Sequence, residues 1–193
     1  MPDYTTLSAV KSQLNIEASN TDDDTLIETF VTQASEMIDS VCNRRFIATP
    51  GTLKLDACPP HLYGNTLFFG DDVTSVLSIS DANGEIDSAN YWLKPNNTSP
   101  KWGAAFKSGY TPQYDSSAQQ AITVVGSLGY AVSAPSDINL AATRLAAWMY
   151  QTRDNTGESV RFMDGTTIIP ANAPPLVMTI LQRGRYIKDE LEF

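Results

Sequence analysis

One histidine and two cysteines are all the sequence offers of the side chains that most often carry out chemistry. With His61 alone, any Ser-His-Asp or Cys-His arrangement has to be built on that imidazole. Cys42 and Cys58 fit neither a CxxC nor a zinc spacing, and two thiols make no disulfide framework. Two reduced, partly buried thiols are the preferred reading. No phosphate-cradling GxxxxGK(S/T) or GxGxxG run occurs, and Gly103, Gly109, Gly126 and Gly129 form no such loop. Positive charge is also scarce, at 13 Lys and Arg against 22 Asp and Glu, for a net charge of -9. That balance argues against a broad basic face gripping nucleic acid, though not against a surface that DNA merely passes. No apolar run is long enough to cross a bilayer, so no membrane partner is expected. The start MPDYTTLSAV lacks a basic-then-apolar signal pattern, and synthesis and folding in a cytosol are expected. Without a signal, the glycosylation-type triplets at Asn96 and Asn97 mean little.

What is present is a strong helical pattern. In Thr21–Phe46, the residues Leu26, Ile27, Phe30, Val31, Ala34, Met37, Ile38 and Val41 recur at spacings of three and four. They form one apolar stripe of a long helix, opposite Glu28, Thr32, Gln33, Glu36, Asp39 and Asn43. The Asp22–Asp24 run supplies an N-cap and favourable charge at the helix start, and Arg44 and Arg45 lie at its far end. At 42% hydrophobic residues in 193, the chain can bury a real core, most simply as one domain with a substantial insertion.

Upstream, Thr5 or Thr6 caps a short helix Leu7–Leu14. Downstream, Pro50-Gly51 breaks the helical texture, and residues 52–131 read as strands and turns. Expected strands are Thr52–Asp56, Thr66–Phe69, Val73–Ser80, Asn90–Lys94, Gly103–Lys107 and Ala121–Ser127. Asn83-Gly84 is the clearest tight turn. From Pro135 the helical pattern returns over Ile138–Arg153, with Ile138, Ala141, Ala142, Leu145, Trp148 and Met149 as its buried stripe. Small alanines there permit close approach of the long helix. A polar stretch, Asp154–Ala173, precedes a final helix Leu176–Ile187 opened by Pro174-Pro175, and the charged tail from Lys188 is expected to fray. The fold class is therefore α+β. Residues 1–50 and 132–193 are expected to form a helical core of about four helices, with 51–131 inserted as an antiparallel β subdomain.

Chemistry is hard to place on this frame. A Cys58–His61 pair lacks an orienting third group at a recognisable spacing, so a structural or solvent-facing His61 is preferred. The Asp22–Asp24 run lacks the alternating oxygen ligands of a calcium loop, and helix capping explains it better. Tyr91, Trp92, Trp102, Phe106, Tyr110 and Tyr114 gather near Lys94, Lys101 and Lys107. They suit core packing and subunit contacts, or else a stacking platform for sugar or nucleic acid. No catalytic residue, cofactor site or metal site is predicted, and an enzyme is not expected.

The blocks TTLSAVKSQLNI and DDDTLIETFVTQASEMIDSVCNRRF resemble the opening of tailed-bacteriophage head–tail connector (head-completion adaptor) proteins. The stretch GYAVSAPSDINLAATRLAAWMYQTRD is similar to that family's Ala-rich second signature, and IPANAPPLVMTILQRGR to its closing Pro-led helix. These segments cover about half of the chain, in the family's order. VTSVLSISDANGEI and YWLKP look like the β insertion of longer members. The resemblance implies a non-enzymatic virion protein in the head–tail neck. It would form a homo-oligomeric, commonly twelve-fold ring beneath the portal, let DNA through without specific binding, and meet a stopper or tail-completion protein. On that reading Arg161, Phe162 and Met163 are candidates for docking on the portal protein. Glu28, Glu36 and Asp39 are candidates for the subunit interface or the lumen. The competing expectation is a tail-associated module that binds glycan or a host surface through its aromatic middle.

Overall fold

A computed structural model describes residues 2–153, 174–183 and 186–188. The chain divides into two compact units, one of Met1–Arg44 with Ala134–Glu190, the other Arg45–Ser133. The fold is α+β, with four α-helices and a seven-stranded antiparallel sheet among the described residues.

In the helical unit, α1 (Leu7–Leu14) begins where Thr6 Oγ1 accepts the amide of Ala9, and ends at Asn15 in the left-handed conformation. The long helix α2 spans Asp24–Cys42 and is closed by a left-handed Asn43. Asp23 occupies its N-cap position but makes no side-chain cap, contrary to the simple capping role expected of the aspartate run. Its carboxylate instead accepts the Tyr150 hydroxyl and lies 4.0 Å from Arg153. Asp24 receives the Lys11 ammonium at 2.7 Å, and the same ammonium donates to the carbonyls of Ala18 and Asn20. Lys11 is thus buried at the price of three acceptors, and it ties down the whole α1–α2 connection.

Helix α3 (Ser136–Thr152) lays Ile138, Ala141, Ala142, Leu145, Ala146 and Ala147 inward against α1 and α2. Trp148 and Met149 are only half-buried, so the alanines carry more of the interface than the expected stripe gave them. Helix α4 (Pro175–Arg183) buries Val177 and Leu181 against α3 and stops earlier than Ile187. Beyond it Tyr186 is buried, its hydroxyl donating to both oxygens of Asp137 at 2.9 and 2.8 Å. The Lys188 amide caps the Cys42 carbonyl at 3.0 Å, so this point of the tail is anchored. Cys42 itself is fully buried, and burial pushes its thiol up to about 12.

The sheet unit has strands β1 (Thr49–Leu55), β2 (Leu62–Tyr63), β3 (Thr66–Asp81), β4 (Gly84–Glu85), β5 (Tyr91–Lys94), β6 (Lys101–Phe106) and β7 (Ile122–Leu128). The order is β1-β7-β3-β6-β5, with β2 and β4 also on β3. Two expected strands, Thr66–Phe69 and Val73–Ser80, are one 16-residue strand. Gly70-Asp71-Asp72 reads as a turn in sequence, and Gly70 does take a left-handed φ of 72°, but the chain continues as a bulge. Between Phe68↔Gly103 and Val73↔Lys101, β3 advances five residues while β6 retreats two. Two further shifts against β7, at Val73/Ser75 and Val76/Ser78, each add one residue and leave Leu77 exposed. These bulges bend β3, so that Leu67, Phe69, Val73 and Ile79 from both halves share one core with Leu55, Phe106, Ile122 and Val124.

Strand β3 approaches its neighbours closely. A Cβ on Gly126 would meet the Ser75 carbonyl oxygen at 2.1 Å, and one on Gly103 the Leu67 oxygen at 2.3 Å. Backbone cannot yield as a side-chain tip can. Gly126→Ala is therefore expected to destabilise the protein by about 2 kcal/mol or more. Urea melts check this, and an unchanged midpoint would refute it. In native protein a maleimide should modify Cys58 and spare Cys42 until denaturant is added. Mass spectrometry counts the adducts, and prompt labelling of Cys42 would contradict its burial.

Candidate functional site

The surfaces that could meet a partner lie on α2 and on the β5–β6–β3 face of the sheet. On α2, Glu28 and Glu36 are exposed, and neither has a basic partner among the described residues. Asp39 differs. It is half-buried and accepts the Tyr4 hydroxyl, which with Tyr4 N–H to Ser35 Oγ (3.0 Å) straps the N-terminal segment onto α2. Arg161, Phe162 and Met163 lie outside the described residues. Arg44 and Arg45 follow the end of α2, and Arg45 pairs with Asp71 at 2.9 Å within the sheet unit.

The His61 loop is a turn held by its own backbone. His61 Nδ1 accepts the Asp56 amide at 3.3 Å and lies 3.4 Å from an Asp56 carboxylate oxygen. Cys58 enters through its carbonyl, which accepts the amides of His61 and Leu62 at 3.1 and 3.0 Å. Among the described residues no group of three or more His, Cys, Asp or Glu is placed to hold a metal ion.

The aromatic residues of the middle region separate into two sets. Tyr91, Phe106 and Tyr110 pack together at the core, with centroids 6.5 and 5.5 Å apart. The Tyr110 hydroxyl donates to Asp81 at 3.0 Å, and the same oxygen accepts the Gln113 amide. Burial first, and this bond second, push the Tyr110 phenol up to about 12. The second set faces outward. Residues paired across antiparallel strands share a face, so Thr66, Phe68, Gly103, Ala105, Trp92 and Lys94 lie together. On this strip Phe68 stacks on Trp102 at 5.3 Å and meets the edge of Tyr63 at 6.0 Å, while the Lys107 ammonium sits 4.9 Å over the Trp92 ring. Trp92, Trp102 and Tyr63 remain 53%, 45% and 50% exposed. Tyr63 and Phe68 are not legible as part of this cluster in sequence because they lie 29 and 24 residues before Trp92. The available signal was Tyr63 in a strand-turn beside the alternating Thr66-Leu67-Phe68-Phe69.

Residues 3–187 match the family model for head completion protein. The chain belongs to the head completion protein family. No curated protein matches it. Among solved structures, this head completion protein is similar to a chain in the neck of an empty gene transfer agent particle computed with C6 symmetry. The two are 16% identical at a TM-score of 0.59, over 95% of this chain and 90% of that one. A chain of the native gene transfer agent virion is 17% identical, with a TM-score of 0.57 over 92% and 87%. One in the native neck computed with C12 symmetry is 17% identical, with a TM-score of 0.51 over 90% and 89%. At such identities the likeness is one of fold.

Burial of the Tyr110 phenol, together with its bond to Asp81, sets a pH response. Below pH 10 the phenol keeps its proton folded or unfolded, and the bond contributes fully. Between about 10 and 12 only the unfolded chain ionises, so this contribution drains away as pH rises. Stability of the native chain should therefore fall across that window more than that of Tyr110→Phe, measured by urea midpoints at each pH. Parallel curves would exclude this phenol as the cause.

Proposed function

We propose that this head completion protein is a structural adaptor of the head–tail neck in a tailed phage-like particle, and not an enzyme. It forms a ring beneath the portal, extends the DNA channel and offers a docking surface to a stopper or tail-completion protein. The family match over residues 3–187 carries the proposal. The fold shared with chains of gene transfer agent necks computed with C6 and C12 symmetry supports a ring, with twelve copies as the expected number. The charge of -9 suits a wall past which DNA slides, since a like-charged lumen repels phosphate and leaves no sticking points.

Within that ring, the helical unit made from both ends of the chain is the adaptor body and the sheet is its inserted subdomain. Glu28 and Glu36 serve a subunit contact or the lumen wall. Asp39, held by Tyr4, supports that surface from behind. Arg161, Phe162 and Met163 dock on the portal protein.

Particles made without this protein should be filled heads lacking tails, and adding the purified protein should restore tail attachment in electron micrographs. The triple variant Arg161→Glu/Phe162→Ala/Met163→Ala should fail to restore it. Fully tailed particles in the protein's absence would end the adaptor reading.

A further inference from the structure

We propose that the outward strip of β5 and β6 is one half of the ring's subunit contact, and that its occupant is the acidic outer face of α2 from a second copy of this chain. This rests on the ring reading above. A closed ring of more than two copies needs two different, complementary patches on each subunit. The strip and the α2 face have that relation.

Lys94 and Lys107 have no carboxylate partner among the described residues, in a chain whose acids outnumber its bases by 22 to 13. Lys94 stands on the strip itself, and Lys107 leans over Trp92 between them. A third lysine, Lys101, is spent internally, donating to the carbonyls of Pro95, Asn96 and Thr98. It stiffens the β5–β6 hairpin and leaves its positive charge at the same end. On α2, Glu28 and Glu36 share a face with Thr25, Thr29 and Thr32, all at helical spacing and all at least partly exposed.

The spacings agree. Glu28 and Glu36 are eight residues apart, or about 12 Å along a helix. The Lys107 amide bonds the Asn90 carbonyl, which lies four residues before Lys94, so the two lysine backbones are separated by about 13 Å along a strand. Once Lys107 swings off the Trp92 ring, each glutamate can meet one ammonium, and the freed face of Trp92 lies between them on the threonine methyls. An aromatic anchor flanked by charge pairs is how protein contacts concentrate their energy. Nucleic acid fits less well. Trp102 already stacks on Phe68, and the chain as a whole repels phosphate.

The test uses the full chain and four forms: wild type, Lys94→Glu/Lys107→Glu, Glu28→Lys/Glu36→Lys, and the quadruple variant that exchanges all four charges. Native mass spectrometry and sedimentation at low ionic strength report the assembly, and circular dichroism confirms that each form is folded. Wild type should assemble and come apart as salt shortens the screening length from about 10 Å at 0.1 M to about 3 Å at 1 M. Each double variant should associate about tenfold or more weakly, and the quadruple should recover. Trp92→Ala, which leaves the charges alone, should weaken assembly without changing its salt dependence. Double variants that assemble like wild type would overturn this contact and leave the ring standing. So would a folded quadruple that does not recover, or binding of a single-stranded oligonucleotide that the lysine variants abolish while assembly is untouched. A wild type that stays monomeric throughout would also overturn it, while the ring reading is judged separately on particles.

Discussion

The helical unit depends on closing two ends of one chain against each other. That closure is made by the alanine face of α3 lying on α2 and α1, because small side chains bring helix backbones close enough to exclude water. Polar contacts at the ends of this interface hold its direction. Tyr150 reaches Asp23 at the start of α2, and Thr5 meets Thr143 at 2.6 Å. Tyr186 holds Asp137 at the start of α3, and the Lys188 amide closes the last turn of α2. Three tyrosine–aspartate bonds, at Tyr4, Tyr150 and Tyr186, thus fasten segments that are distant in sequence. Each aspartate would otherwise be a solvated charge at a helix end.

The sheet unit meets a different constraint. A single strand, β3, must serve two neighbours and bend enough to enclose one core. Bulges give that bend at the cost of unpaired positions, and Leu77 is left outside as a consequence. The glycines opposite the bulges, Gly103 and Gly126, are the places where backbone passes so near to backbone that no side chain fits. Strand β6 is therefore small at Gly103 and Ala105, and Phe68 of β3 and Trp92 of β5 stand on either side of these positions.

The ring proposed for this head completion protein would account for features that look unfinished in an isolated chain. Exposed tryptophans, with lysines that lack a carboxylate partner and glutamates that lack a basic one among the described residues, are costly or neutral to a monomer and would suit the proposed subunit contact.

The α2 pattern was legible in sequence because a 3.6-residue repeat of Ile27, Val31, Ala34 and Ile38 is a local signal, whereas its end at a left-handed Asn43, a residue expected on the helix's polar face, was not. So were the α+β class, the Asn83-Gly84 turn and the short capped α1, each fixed by neighbours within a few residues. The connector resemblance rested on such local blocks too. What local pattern could not tell was that Gly70-Asp71-Asp72 continues a strand instead of ending it. It could not tell that Asp23 answers a tyrosine 127 residues away, or that Lys11 is buried. Nor could it divide the aromatic residues into an inner and an outer set, since that depends on which strand lies opposite which. Periodicity and turn chemistry act over a few residues and are written in the sequence. Register, bulge placement and the partners of buried charges are decided only when distant segments compete for the same space, and here the tertiary structure made that choice.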